Sequence, residues 1–190
     1  FTHQAKRNSL SYNVVSAFVE NGMGELVIGT EGGGLNYFNR RTNSFFSERH
    51  DKNNLNGLSH NNVKSICLDK GGNLWVGTYD GGLNLRRKGQ QGYEHFRFDP
   101  NVSNGLANNN VYAILEDRNG DIWIGTFGGG LQVLRKNQKV GSFQTFDVAG
   151  KQLSSNMVRA LLEDSKGNLW IGTSNGLNLK LAGTDKFVSF

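Results

Sequence analysis

The sequence predicts an all-β chain of four similar four-stranded antiparallel sheets, on three observations: an internal repeat, a composition rich in turn-forming residues, and the lack of helical spacing. Gly-Thr falls at Gly29-Thr30, Gly77-Thr78, Gly125-Thr126 and Gly172-Thr173, at intervals of 48, 48 and 47 residues, and nineteen residues before each glycine stands a leucine, Leu10, Leu58, Leu106 or Leu153. The 190 residues include 26 Gly and 24 Asn but a single Pro, Pro100, and Gly and Asn tolerate the positive φ that tight turns demand. No segment sustains the i, i+3, i+4, i+7 apolar spacing of a helix, so helix content should be close to nil.

Each repeat reads as four strands, A to D. Strand A, residues 63–68 in the second copy, opens on a recurring valine (Val15, Val63, Val111, Val158) and carries a small residue two positions later (Ala17, Ser65, Ala113, Ala160). A small side chain is expected there because neighbouring sheets converge and a larger one would clash. Asn21, Asp69, Asp117 or Asp164, followed three residues later by glycine, is hairpin chemistry. Strand B, residues 74–78, ends in Gly-Thr and carries Trp75, Trp123 and Trp170, with Val27 in the first copy. The indoles should fill the wedge between adjacent sheets, and the first copy should pack less well. Gly33-Gly34, Gly81-Gly82, Gly129-Gly130 or Gly176 turns the chain into strand C, residues 83–86, and an aromatic strand D, residues 93–98, closes the unit.

A four-stranded unit recurring at this interval is the signature of a β-propeller blade. The prediction is one β-propeller segment over residues 1–190, with blades at about 10–57, 58–105, 106–152 and 153–190, forming a partial propeller or a small ring; Phe1 reads as the tail of a preceding strand D. A β-solenoid or sandwich is the weaker alternative, since solenoid repeats are usually shorter and sandwiches lack such regular copies.

Composition narrows the function. Hydrophobic residues make up 36% of the chain, which suits a globular fold. No apolar run reaches the roughly 18 residues of a membrane span. The chain starts on Phe, without a signal-peptide pattern, and reads as a piece of something longer. Cys67 is the lone cysteine, so neither an internal disulfide nor a zinc site of cysteines is expected. His3, His50, His60 and His95 lack metal-ligand spacing, residues 125–130 follow a strand without preceding a helix, and the calcium-loop look of residues 117–121 is better read as a hairpin. No cofactor and no metal are expected.

Between the recurring positions lie residues that differ in every copy. In a propeller the B-to-C and D-to-A loops share one face, which would carry Glu31, Tyr79, Asp80, Phe127 and Ser174, with Ser16, Lys64, Tyr112 and Arg159 just inside strand A. A symmetric frame with varied inserts is how a propeller gains an asymmetric pocket. Lys64, Tyr79, Asp80, Tyr112, Phe127 and Arg159 are the candidate ligand-binding residues: the aromatics suit sugar C–H surfaces, while Lys64, Asp80 and Arg159 supply charge and hydrogen bonds. On the opposite face, 12 of the 21 Lys and Arg, Arg86 and Lys180 among them, map to A-to-B or C-to-D turns. With a net charge of +5 a polyanion is worth weighing, but the interleaved Asp69, Asp117, Asp121 and Asp164 dilute the field, and no specific nucleic acid is expected.

Residues 58–63 (Leu-Ser-His-Asn-Asn-Val), 69–78 (Asp-Lys-Gly-Gly-Asn-Leu-Trp-Val-Gly-Thr) and 164–173 (Asp-Ser-Lys-Gly-Asn-Leu-Trp-Ile-Gly-Thr) resemble the two-component regulator propeller repeat. The resemblance extends over all four copies, with Val27 for Trp and Asn21 for Asp in copy one and Ala107 for Ser in copy three. It implies a non-catalytic ligand sensor in the periplasm, part of an inner-membrane hybrid histidine kinase whose kinase lies outside these residues. An oligosaccharide or other small ligand is the implied partner, with neighbouring blades or a second copy at any open blade face and the membrane met only through the parent chain. Two alternatives stand beside it: a streptogramin-lyase-like enzyme, which would need His50 or His60 beside a carboxylate such as Glu31, and a structural interaction platform.

Overall fold

In the computed structural model, residues 2–4 and 8–190 are described; Phe1, read as the tail of a preceding strand, lies outside them. The described residues form strands and turns without helix. The first sheet comprises β1 (Val15–Glu20), β2 (Leu26–Thr30), β3 (Gly34–Asn39) and β4 (Ser44–Glu48), and the second β5 (Val63–Leu68), β6 (Leu74–Thr78), β7 (Leu83–Arg86) and β8 (Glu94–Phe96). The third holds β9 (Val111–Glu116), β10 (Ile122–Thr126), β11 (Leu131–Leu134) and β12 (Gln144–Phe146), and the fourth β13 (Val158–Glu163), β14 (Leu169–Thr173), β15 (Gly176–Lys180) and β16 (Phe187–Ser189). Strands neighbour one another in sequence order within each sheet, the simple up-and-down order of a propeller blade. The chain divides into two compact units, residues 1–95 and 96–190.

Strands A to C follow the sequence prediction to the residue in the second copy; strand D is shorter, 94–96 instead of 93–98. Tyr93 leaves the ladder because its N–H donates to Asn56 O (2.9 Å), and the Phe98 N–H donates to Asn109 Oδ1 (2.8 Å).

In the first unit Val27, Leu35, Leu58, Val63, Leu74 and Val76 form one buried cluster spanning both sheets, and in the second Trp123, Leu131, Leu153, Val158 and Ile171 do the same. The Gly-Thr glycine makes the close approach possible: a Cβ on Gly29 would stand 2.6 Å from Val63 Cγ1, and one on Gly125 would stand 2.5 Å from Val158 Cγ1. The recurring small residue lies directly opposite that glycine, as Ala17↔Gly29, Ser65↔Gly77, Ala113↔Gly125 and Ala160↔Gly172.

The first copy's strand A is less covered, with Val15 43% exposed where Val63, Val111 and Val158 are buried, yet the place without an indole is filled. Val27 is buried, and its cross-strand partner is Tyr37, whereas Trp123 faces Val133 and Trp170 faces Leu179. A large residue on strand C replaces the missing indole on strand B.

Two further departures are matched in the same way. Where a tryptophan is present, its indole N–H donates to the turn aspartate, Trp75 to Asp69 Oδ2 (2.9 Å), Trp123 to Asp117 Oδ2 (2.9 Å) and Trp170 to Asp164 Oδ2 (3.1 Å). With Val27 there is no such donor, and Asn21 keeps its oxygen for the turn N–H groups of Met23 and Glu25 while its amide donates to Glu25 Oε2. Likewise the fully buried Asn36 and Asn178 accept from the backbone N–H of Ser11 and Ser154 and donate to those serines' hydroxyls. Copy three has Ala107 instead, and the longer Gln132 still accepts from the Ala107 N–H but sends its amide to Gly105 O and Thr145 Oγ1. A buried amide left without a partner would cost about 1–3 kcal/mol, which explains why both residues of the pair differ.

Candidate functional site

Strand A does not run evenly against strand B. Val15 opposes Thr30 and Ala17 opposes Gly29, leaving Ser16 with no opposite residue, and the same register shift isolates Lys64, Tyr112 and Arg159. Each is the extra residue of a β-bulge, a device that removes one side chain from the alternation and re-aims it. The four variable residues of strand A are the four bulge residues, a role invisible in the sequence because a bulge has no composition signature here.

A second set is fixed next to them. The N–H of the residue after Gly-Thr donates to the carbonyl before the strand A valine: Glu31 to Val14 O, Tyr79 to Asn62 O, Phe127 to Asn110 O and Ser174 to Met157 O. Loops also join sheet to sheet within each unit. Asn61 O accepts from Gly32 and Gly34, and Asn156 O accepts from Gly128 and Gly130. Every residue after Gly-Thr therefore lies beside the bulge of its own sheet and, inside a unit, near the bulge of the next.

In the second unit this brings three predicted residues together. The Tyr112 and Phe127 rings stack with centroids 5.1 Å apart, and the Arg159 guanidinium lies 5.0 Å from the Phe127 centroid. Arg159 Nε donates to Ser174 Oγ at 3.0 Å, which holds the guanidinium over the ring. Tyr112 and Phe127 are half-buried and Arg159 is exposed, so the stack offers an aromatic and a cationic edge to solvent.

The first unit holds the other three. Lys64 Nζ pairs with Glu31 Oε1 at 2.8 Å, the same sheet-to-sheet link that Phe127 and Arg159 make by cation–π contact. Tyr79 and Asp80 are exposed on the β6–β7 turn, with Asp80 in the left-handed region at φ 65°. Ser16 is spent internally, its hydroxyl bonding Gly29 O and Val63 O. Asn62 Oδ1, beside this group at the Glu31↔Asn62 bridge, is buried without a hydrogen-bond partner.

The histidines serve loops. His50 Nδ1 lies 2.8 Å from Leu58 O, His95 Nε2 lies 2.8 Å from Gly57 O, and His60 Nδ1 accepts from the Asn62 N–H. Burial lowers the His60 pKa below the usual imidazole value against the pull of Asp80. Among the described residues no His, Cys, Asp and Glu cluster could hold a metal, and no helix is long and apolar enough to cross a membrane. The 117–121 segment is a hairpin: Asp117 Oδ1 accepts from the N–H groups of Asn119 and Asp121. Of the cations read as turn residues, Arg86 and Lys180 are corrected to strands β7 and β15, where each lies over an aromatic ring.

The family model described as "Two component regulator propeller" matches residues 57–80, 105–128 and 152–175. Copies two to four match the two-component regulator propeller repeat. Copy one, with Asn21 and Val27, lies outside the match although its sheet has the same order. Among curated proteins nothing matches the chain. Among solved structures it is similar to the extracellular domain of a protein described as the hybrid two component system BT3049 from B. thetaiotaomicron, at 22% identity and a TM-score of 0.71, covering 93% of this chain and 30% of that one. The extracellular domain of BT4673 from the same organism gives 22% identity and a TM-score of 0.78 over 100% of this chain and 26% of that one. A streptogramin B lyase gives 15% identity and a TM-score of 0.67 over 98% of this chain and 56% of that one. These likenesses establish an all-β partial propeller. The repeat-bearing chain spans less than a third of the two regulator domains.

Proposed function

We propose that these repeats form a non-catalytic ligand-binding segment in the periplasmic sensor region of an inner-membrane two-component regulator, with an oligosaccharide as ligand and a histidine kinase outside these residues. The observation that carries this reading is the set of four bulges: one backbone geometry presents serine, lysine, tyrosine and arginine in turn. In the second unit the result is an aromatic stack edged by a guanidinium, chemistry suited to sugar C–H faces and hydroxyls. Transmission to a kinase would require the ligand to favour one arrangement of the sensor over another.

Thermal melting against an oligosaccharide panel tests the reading. A binding sugar raises the melting temperature, and Tyr112→Ala or Arg159→Ala abolishes that rise while the β-type circular dichroism persists. Unaltered binding by both variants would reject the site. The lyase reading has less support, because Glu31 is held by Lys64 and the ring nitrogens of His50 and His60 named above serve backbone groups; product formation from a streptogramin would restore it. Exposed strand residues Phe18 and Phe46 in the first unit and Leu162 in the second, with Phe190 just past β16, suit packing against a neighbouring blade of a longer chain.

A further inference from the structure

At the hairpin end of the second unit, away from the bulges, a cavity of about 350 Å³ opens between the third and fourth sheets. Cavities of this size hold small ligands. Its carboxylates at Asp117 and Glu163 are committed. Asp117 receives two backbone N–H groups and the Trp123 indole, and Glu163 receives the Arg118 backbone N–H at 2.9 Å and Nε at 2.7 Å.

The cations are held differently. Arg135 places Nη1 on Asp121 Oδ2 at 2.9 Å, while its Nη2 reaches Gln144 Oε1 only at 3.5 Å and stands 3.8 Å from Asp185 Oδ1. Lys180 is 7% exposed, bonds Thr184 O, lies 5.3 Å from the Trp123 ring centroid, and stands 3.6 Å from the same Asp185 oxygen. Burial lowers its pKa, with Asp185 opposing. One carboxylate oxygen, on a side chain 61% exposed in the β15–β16 turn, thus meets two cations at distances too long for hydrogen bonds.

The first unit shows what a built-in partner looks like. Arg86 stands where Lys180 does, three residues after the strand C leucine that opposes the Gly-Thr glycine (Leu83, Leu177), and pairs with Glu48 at 3.2 Å against the Tyr37 and Tyr93 rings. Glu48 opposes Leu35; at the matching place in the third sheet Leu131 is opposed by Phe146, so Lys180 has no fixed acid of that kind.

We propose that the second unit's cavity binds the carboxylate of a small hydroxy acid, held by Arg135 and Lys180, and that Asp185 is an internal stand-in which the ligand displaces. Exchanging one carboxylate for another conserves the charge of the site, while the freed Asp185 returns to solvent. The lining is polar at Asn119 and Thr184 and apolar only over Leu169, Ala182 and the covered Trp123, which suits a sugar acid better than an alkyl acid. The assignment stands on its own, independent of ligand binding at the bulges.

The test titrates the whole 190-residue chain with sodium D-glucuronate, D-glucose and sodium phosphate, following the Trp123 indole N–H by NMR and the heat by calorimetry. Glucuronate should bind and shift the Trp123 signal, and glucose should not. Asp185→Asn, an exposed change that leaves the fold intact, should tighten glucuronate binding about two- to fivefold, the scale of a loose surface pair. Lys180→Gln should weaken it at least about tenfold, since a charge-assisted hydrogen bond is lost. Absence of glucuronate binding by both the parent chain and Asp185→Asn would overturn the proposal, as would equal binding of glucose, binding of phosphate alone, or indifference to Lys180→Gln in a folded variant.

Discussion

Arg86 in the first unit and Lys180 in the second occupy the same place in the repeat, yet their surroundings are opposite in kind. Arg86 is enclosed: Tyr37 and Tyr93 donate to Glu48 Oε2 at 2.8 and 3.0 Å, and Arg86 donates to both Glu48 and the Tyr37 hydroxyl. Burial first, then the Glu48 charge in Tyr37 and the Tyr37 charge in Tyr93, pushes both phenol pKa values up, so the hydroxyls stay donors. Lys180 instead borders a cavity, where it bonds Thr184 O and lies over the Trp123 ring, and the acid it pairs with is the loosely held Asp185. Backbone anchors shared by all four copies do not decide this difference. It is decided by two fillers, Tyr37 and Glu48 in one unit against Val133 and Phe146 in the other.

The largest expected effect breaks the comparison directly. Arg86→Met should destabilise the protein by about 2–3 kcal/mol, a figure reduced from that of a fully buried pair because both partners retain some exposure. Lys180→Met, removing a desolvated ammonium with a weak partner, should fall within about 0.5 kcal/mol of the parent. Equal losses in urea denaturation would show that the two cations do the same job.

Next comes the frame that the units share. Gly125→Ala should cost about 1–3 kcal/mol through overpacking against Val158. Gly172→Ala, whose Cβ would meet Ala160 Cβ at 3.5 Å, should change stability by no more than about 0.5 kcal/mol. Chemical denaturation of the pair separates close sheet approach from a mere preference for glycine in a strand.

The smallest effect concerns the turn acid that copy one lacks. Asp164 has its pKa lowered from 3.8 to about 2, chiefly by the Asn168 side chain, against burial, and then by the Asn168 backbone, Trp170 and Lys166. Its folded value lies below its unfolded one, so the unfolded chain takes up the proton first as pH falls. The stabilisation is complete above 3.8 and is lost as pH drops through about 2. The stability gap between the parent and Asp164→Asn should narrow across that window, whereas Asn21→Asp, with Val27 offering no indole donor, should add little at any pH. Parallel acid profiles for the parent and Asp164→Asn would dismiss the role given to the carboxylate.

Sequence spacing located β5, β6 and β7 to the residue, because Val, Asp-x-x-Gly and Gly-Thr act on the few residues around them. It overextended β8, whose end is decided by Asn56 O taking the Tyr93 N–H from a distant loop. It found the candidate residues as positions that vary on a constant frame, without the bulge that exposes them or the pairing of Glu31 with Lys64 across 33 residues. The hairpin-end cavity was hidden altogether, although a recurring cation at Arg86 and Lys180 was a signal that the position points toward the neighbouring sheet.

By itself the amino-acid order determined that this chain is four β-sheet repeats with their turns, since each depends on conformational preferences within one hairpin or on an anchor present in every copy. Only the tertiary structure decided which cations are enclosed and which face a cavity, because that depends on the size and charge of side chains that an adjacent sheet delivers from some forty residues away.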